Sequence, residues 1–156
     1  MRLHALLLLV VGLQIAADQP SDDAIKKEMK KLDGTWVAQS VVRDPREKGE
    51  GESEGKDLRI IVSGFKVVVK AAGEDKTLGK AVIKIDPTKK PKTIDITGEG
   101  EMAAVLGIYE LERDTLRVCW GPSEKMERPT QLTSKPGSGQ SLVVLKREKP
   151  PTASGR

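Results

Sequence analysis

Two aspartates on either side of a predicted turn come nearest, among the residues of this chain, to a catalytic arrangement. Asp86 precedes Pro87, and Asp95 follows the turn in the next alternating segment. Two carboxylates brought together in this way could act as the acid and the base of a glycoside hydrolase. The simpler interpretation is that Asp86 caps the Pro87 turn and that Asp95 faces solvent between Ile94 and Ile96. A sugar site would also need aromatic platforms, and the chain has only two tryptophans, one tyrosine and one phenylalanine.

Histidine chemistry is absent from the predicted mature chain. The only histidine, His4, lies in a segment that we interpret as a leader. Without histidine, the chain lacks Ser–His and Cys–His nucleophile activation and the common zinc ligand sets. The acidic loop at 44–56 could ligate a hard cation, but its glutamates lack the spacing of an EF-hand: Glu47, Glu50, Glu52 and Glu54. We therefore predict that the protein is not an enzyme and has no catalytic residues, metal site or cofactor.

Cys119 is the only cysteine, so the chain has no internal disulfide. Its neighbours Val118 and Trp120 are apolar and no histidine lies nearby, which favours a small side chain packed in a strand. A reactive thiol or an intermolecular disulfide is the alternative. The sequence leaves the state of this thiol open.

Residues 1–17 have the pattern of a signal peptide. Arg2 supplies the positive charge, residues 3–13 are largely apolar, and small residues end the pattern at Ala17, where we expect cleavage. The apolar run is shorter than the roughly 20 residues that a membrane span needs. We expect an exported protein, periplasmic or extracellular, without a membrane span.

The length that remains predicts one domain at 18–149 and a disordered tail at 150–156. Charged residues of both signs make up 32% of the chain, and the formal net charge is only +4. A nucleic-acid interface would need a concentrated basic face with interleaved aromatic residues, so we exclude a nucleic-acid partner. The densest basic turn is interpreted as a solvated connection between strands: Lys89, Lys90 and Lys92.

The strands that would position Asp86, Asp95 and Cys119 are predicted from an alternating pattern that begins at Gly34-Thr35-Trp36. Before it, Ser21 is a predicted N-cap and Asp22–Leu32 has helical spacing with a solvated lysine face. After it, about eight or nine short segments alternate without a helical crossover, which predicts an all-β antiparallel barrel. The segments are 35–43, 58–62, 65–70, 77–85, 92–97, 104–111, 115–120 and 141–147, with a short edge-like piece at 129–133.

The alternation also assigns side chains to the barrel interior. In the first strand it predicts an inward face of Trp36, Ala38, Ser40 and Val42. We expect Trp36 to be buried at the base of the barrel. Bulky apolar residues fill the neighbouring inward rows: Leu58, Ile60, Phe65, Val67 and Ile83.

Small side chains on these rows define the candidate ligand site. Ala38, Gly79 and Ala81 would leave space inside the barrel, so with Trp36 they predict a site for a small apolar ligand. The alternative is an envelope scaffolding or protein-interaction domain with a packed interior, because small barrels are usually filled by their own side chains. A continuous internal pocket would favour a binding module, and a filled interior with an apolar outer patch would favour scaffolding.

Gly34-Thr35-Trp36, after a short helix and at the start of the first strand, resembles the Gly-x-Trp signature of lipocalins. The resemblance implies that a basic side chain of the last strand lies over the Trp36 ring and closes the base of the barrel. Arg147 is the matching candidate, and Lys146 is the second. Stacking of a cation on an indole is physically favourable.

A second resemblance covers nearly the whole mature chain. The motifs that carry it are, in order, Leu32-Asp33-Gly34-Thr35-Trp36, the segment from Ile85 to Asp95, Leu106-Gly107-Ile108-Tyr109-Glu110-Leu111, Asp114-Thr115-Leu116, Pro129-Thr130 and the segment 134–140. Together they resemble those of a domain family abundant in planctomycete bacteria, for which no activity is established. The resemblance implies a lipocalin-like fold and supplies no active site.

Overall fold

The computed structural model describes residues 19–43, 58–71, 73–121 and 127–149. Three of our predictions lie outside these residues. They are the signal peptide at 1–17, the cation-binding alternative for the glutamates of the 44–56 loop, and the tail at 150–156.

One helix and eight strands make up the described chain, and the strands form a single closed antiparallel barrel. Each strand pairs with its neighbour in sequence, and β1 closes the barrel by pairing with β8. The prediction of an all-β antiparallel barrel is confirmed. The elements are α1 (Asp22–Leu32), β1 (Gly34–Val42), β2 (Leu58–Ser63), β3 (Lys66–Ala71), β4 (Thr77–Asp86), β5 (Lys92–Gly98), β6 (Val105–Glu112), β7 (Thr115–Trp120) and β8 (Ser141–Arg147).

The helix begins and ends where the sequence predicts. The Ser21 hydroxyl accepts a hydrogen bond from the Ala24 amide at 3.2 Å and caps the N-terminus, where two aspartates favour the helix dipole. Met29 and Leu32 are buried against the strands. Within the described residues, no helix is long and apolar enough to cross a membrane.

The two ends of the barrel differ because all neighbouring strands are antiparallel. The helix end contains the start of β1 and the β2–β3, β4–β5 and β6–β7 turns, and α1 packs against it. The opposite end, which we call the mouth, contains the end of β1 and the connections that follow β3 and β5. The inward side chains between the two ends form the core of the protein.

A β-bulge in β1 corrects the predicted inward face. The register of β1 against β8 shifts between Ala38 and Ser40, so Gln39 is an extra residue on the β1 side. The insertion moves the inward position from Ser40 and Val42 to Val41, which is 2% exposed. Strict alternation misplaces every residue after such a bulge, because one additional residue reverses the side to which each side chain points.

Phe65 is also placed differently from its prediction. β2 ends at Ser63 and β3 begins at Lys66, so Phe65 occupies the turn and is 46% exposed. Gly64 has a φ of +54°, which places the centre of the turn at Gly64-Phe65. The inward row of β3 therefore begins at Val67 and lacks an aromatic side chain.

The predicted edge-like piece at 129–133 is not a strand in the structure. The segment 127–134 instead crosses the outer face of β5, β6 and β7. Arg128 donates hydrogen bonds to the carbonyls of Ile94 and Gly107 at 3.2 and 2.6 Å. Beneath this segment lie Ile108 and Cys119, which face away from the interior yet are almost wholly buried.

Candidate functional site

The barrel encloses a cavity of about 410 Å³. All eight strands and α1 contribute to its wall, and most of the lining side chains are aliphatic. The inward rows are continuous because the strand pairing keeps successive apolar residues in register around the barrel. Representative lining residues are Val41, Ile60, Val67, Ile83, Ile96 and Leu145.

The cavity extends from the helix end to the mouth. Leu32 of α1 and Tyr109 of β6 line it at or toward the helix end. Arg43 and Glu101 line it at the mouth, and both are exposed. The cavity therefore reaches the surface at the mouth, and the two charged residues that line it, Arg43 and Glu101, lie there.

The four residues that the sequence assigns to the ligand site are distributed differently. Ala81 lines the cavity. Trp36 and Ala38 are 0% and 1% exposed and belong to the surrounding core, outside the lining set. Gly79 does not line the cavity either, and a Cβ atom added there would have no neighbour within 4 Å. The structure thus brings one of the four to the cavity wall and gives Trp36 a packing position beside it.

Aliphatic residues that the sequence assigned to filling the interior form most of the wall instead. Ile60, Val67 and Ile83 line the cavity. Their inward direction was correctly predicted by alternation, but alternation does not give the radius of the barrel. That radius follows from strand number and stagger, which together decide whether bulky side chains meet at the axis.

A polar cluster at the helix end was missed by the sequence analysis. The Glu28 carboxylate is bonded by the Lys31 ammonium at 2.9 Å and by that of Lys92, and the Tyr109 hydroxyl donates to it at 3.4 Å. The Glu28 side chain is only 5% exposed. Its position between Ile25 and Met29 on the apolar side of α1 is the one sequence signal that could have indicated a buried carboxylate.

The contacts within the cluster shift the pKa values of Glu28 and Tyr109. Burial alone would raise the pKa of Glu28, but the hydrogen bonds and charges of Lys31 and Lys92 outweigh it and hold that pKa below its ordinary value of 4.5. Burial raises the pKa of Tyr109, and the negative charge of Glu28 raises it further. The cluster is thus a carboxylate with its counter-ions and a neutral phenol that donates to it.

The two aspartates considered for catalysis have separate partners. Asp86 accepts hydrogen bonds from the Thr88 amide at 2.9 Å and the Thr88 hydroxyl at 2.6 Å, so it caps the turn as expected. Asp95 does not simply face solvent, because the Arg128 guanidinium pairs with it at 2.7 Å. Arg128 lies 33 residues away in an irregular segment, so no local pattern identifies the pair.

The thiol of Cys119 lies under the segment 127–134. Its sulfur is 3.5 Å from the carbonyl oxygen of Thr133, and the residue is 0% exposed. Burial raises the pKa of this thiol. The structure matches the interpretation of Cys119 as a packed side chain in a strand, with its thiol free.

Comparison of the chain with protein-family models, with curated proteins and with solved structures found no match. Within the described residues, no three His, Cys, Asp or Glu side chains come together in a way that could hold a metal ion. Function must therefore be argued from the cavity and from the surfaces around it.

Proposed function

We propose that this protein is a non-catalytic binding protein that holds a small apolar ligand inside its barrel. The observation that carries the proposal is the cavity of about 410 Å³, to which every strand contributes an aliphatic side chain. Small-molecule sites typically measure about 300–1,000 Å³ and are lined mainly by apolar side chains. Transfer of an apolar ligand from water to such a wall is favourable because apolar surface is removed from water.

The distribution of polar groups orients the proposed ligand. The cavity wall below the mouth offers one hydroxyl, that of Tyr109, and it already donates to Glu28. Arg43 and Glu101 lie at the mouth. A ligand with one polar end would place it beside these two residues, since an unpaired polar group buried deeper costs free energy.

Several observations support the non-catalytic and exported parts of the proposal. Asp86 and Asp95 are engaged by different partners, so they do not form an acid–base pair across an open site. A buried thiol with a raised pKa, as at Cys119, is a poor nucleophile. Export rests on the signal-peptide pattern of residues 1–17.

A relationship to lipocalin-like barrels, including the planctomycete domain family, is a further part of the proposal. Its support is a closed eight-stranded antiparallel barrel that follows a short helix, with a basic residue of the last strand over the tryptophan of the first. The Arg147 candidate was derived from that resemblance, and its position over Trp36 is confirmed.

Titration with the neutral fluorescent probe N-phenylnaphthylamine tests the ligand site. Trp120 lines the cavity, so excitation energy should be transferred from this tryptophan to a probe molecule bound there. Ala81→Leu places extra volume into the cavity and should abolish this binding without unfolding the protein. Val82→Leu is the matched control, because Val82 is the next residue of β4 and is 54% exposed on the outer surface.

Stability measured on the same variants separates the two interpretations of the interior. If the cavity is real, Ala81→Leu should leave the free energy of unfolding nearly unchanged while probe binding is lost. If the interior is effectively packed, the wild type should not bind the probe and Ala81→Leu should cost about 1–3 kcal/mol through overpacking. The second result would reject the ligand site and leave the scaffolding or interaction role.

A further inference from the structure

The outer surface of β2, β3 and β4 combines exposed apolar side chains with basic ones. Val82 and Leu78 of β4 are 54% and 51% exposed, and Phe65 of the adjacent turn is 46% exposed. We call this surface the basic face. Its apolar members are Ile61, Phe65, Val68, Leu78 and Val82, and its basic members are Arg59, Lys66, Lys70, Lys80 and Lys84.

Strand register makes the apolar members neighbours. Ile61 pairs with Val68, and Val68 pairs with Lys80. Lys80 and Val82 lie on the same side of β4, so Val82 is a diagonal neighbour of Val68, within reach across the strand pair. Leu78 lies at the register shift of β4 against β3, between Thr77 and Gly79, and is 51% exposed. Phe65 lies in the turn at the border of this surface, where its carbonyl accepts a hydrogen bond from the Ile83 amide at 2.8 Å and the residue is 46% exposed.

Basic residues outnumber acidic ones in the three strands of the basic face, although the chain as a whole is nearly balanced. The three strands carry five basic residues and one acidic residue, Asp86, which is the last residue of β4 and is bonded to Thr88. The whole chain has 27 basic and 23 acidic residues. Three of the five basic residues form ion pairs with neighbouring segments: Arg59 with Glu148 at 2.7 Å, Lys70 with Asp75, and Lys80 with Glu99 at 3.7 Å. Lys66 and Lys84 form no ion pair with any residue of the described chain.

The opposite wall of the barrel is organised differently. There the outward-facing Ile108 and Cys119 are covered by the segment 127–134. The protein thus covers the apolar groups on one wall with its own chain and leaves those of the basic face exposed.

We propose that the basic face docks on an anionic lipid surface, with Phe65, Leu78 and Val82 reaching the interfacial region and the lysines contacting head groups. Lysines near an anionic bilayer contribute favourable electrostatic free energy, and apolar side chains between them add to binding. The inference does not depend on a ligand in the cavity, because it concerns only the outer surface.

The geometry of the barrel favours a lipid surface over other occupants. A closed barrel has no free strand edge to which a peptide could add. The pocket beside α1 includes Lys84 at the border of this face, whereas none of the apolar members of the face lines it. Two copies in face-to-face contact would bring like charges together, which is unfavourable.

Co-sedimentation of the full chain with vesicles tests the proposal. The protein should sediment with phosphatidylcholine vesicles that contain phosphatidylglycerol and remain in solution with phosphatidylcholine alone. Added salt should weaken the association, because the Debye length falls with ionic strength. The double variant Lys66→Gln/Lys84→Gln should reduce partitioning to the anionic vesicles roughly twenty-five-fold, about fivefold for each lysine.

Matched variants control for net charge and apolar content. Lys26→Gln/Lys27→Gln removes two exposed lysines of α1 and should leave partitioning close to that of the wild type. Phe65→Ser/Leu78→Ser should weaken binding to anionic vesicles, whereas Met102→Ser should not, although Met102 is fully exposed. All of these positions are on the surface, and unchanged thermal midpoints would show that each variant is folded.

Three results would overturn the proposal. The first is an absence of sedimentation with anionic vesicles, or equal sedimentation with neutral ones. The second is a loss of binding in the α1 variant as large as that in the Lys66/Lys84 variant. The third is binding to polyglutamate without binding to vesicles, which would assign the face to an acidic polypeptide.

Discussion

The guanidinium carbon of Arg147 lies 4.2 Å from the centre of the Trp36 ring, so the last strand places a cation over the indole of the first. The same guanidinium donates to the carbonyl of Asp33 at 2.8 Å and to that of Lys31 at 2.5 Å. The Trp36 indole nitrogen donates to the carbonyl of Leu32 at 2.9 Å. Two side chains thus satisfy carbonyls at the end of α1 and hold the helix against the barrel.

Gly34 is required by this arrangement. Its φ of +129° is a conformation that other residues rarely adopt. A Cβ atom at this position would lie 2.9 Å from the Nη1 atom of Arg147. The glycine of the Gly-x-Trp pattern therefore leaves room for the guanidinium that stacks on the tryptophan.

Arg147→Met should lower the free energy of unfolding by about 1.5–3 kcal/mol, because hydrogen bonds from a charged donor to the end of α1 are lost. Urea denaturation followed by circular dichroism measures the change. Lys146→Met is the matched control, since Lys146 is the preceding residue of β8 and is exposed. Equal losses in the two variants would contradict a specific role for Arg147.

Glu28 should make the protein sensitive to acid. Its folded pKa lies below the ordinary 4.5, so the ionised form favours the folded state. This contribution is complete above about pH 4.5 and is lost as the pH falls below it through the folded pKa. Glu28→Gln should lower stability at neutral pH by about 1–3 kcal/mol and reduce its decline in acid.

Denaturation at a series of pH values checks the Glu28 prediction. Glu99→Gln is the control, because Glu99 forms an exposed pair with Lys80 at 3.7 Å and its loss should change neutral-pH stability by less than about 1 kcal/mol. A Glu28→Gln variant with the wild-type acid profile would show that the cluster does not carry the effect.

Tyr109 should resist ionisation in the folded protein. Because its pKa is raised above the ordinary 10.0, folding favours the neutral phenol, and this contribution is lost as the pH rises above about 10. The chain has a single tyrosine, so the ultraviolet absorbance of tyrosinate reports this group alone. We expect the absorbance change to coincide with unfolding; titration near pH 10 while the chain stays folded would refute the burial of the phenol.

The segment 127–134 should protect the Cys119 thiol. Arg128→Met removes the bonds to β5 and β6 that hold this segment, and hydrogen bonds to a charged group are worth about 1.5–3 kcal/mol. The rate of thiol modification by a disulfide reagent should therefore rise by about tenfold or more. Arg117→Met, which changes an arginine on the outer face of β7, should leave the rate unchanged if the protection is specific to Arg128.

Most of the barrel was predictable because its signals are local. Ser21 and the spacing of Asp22–Leu32 identify the helix, and alternation after Gly34 identifies the strands. The direction of Ile83 or Val67 follows from the same period of two. These features depend on neighbours within a few residues, which a single sequence displays directly.

The bulge at Gln39 and the exposed position of Phe65 were not predictable from alternation. A bulge becomes visible only when the partner strand is known, because it is defined by one more residue on one strand than on the other. Phenylalanine is a residue type that favours strands, but the pairing of Ser63 with Lys66 places Phe65 in the turn between β2 and β3.

The sequence by itself determined the barrel class, the extent of the helix and most of the residues that face inward, apart from those after the β1 bulge and Phe65. Only the tertiary structure decided that these inward residues surround a cavity, that Glu28 meets Lys92 and Tyr109, and that Arg128 reaches Asp95. The physical reason is that side-chain direction depends on local backbone geometry. Cavity volume and long-range polar pairs depend instead on strand stagger, barrel radius and the path of segments far apart in the chain.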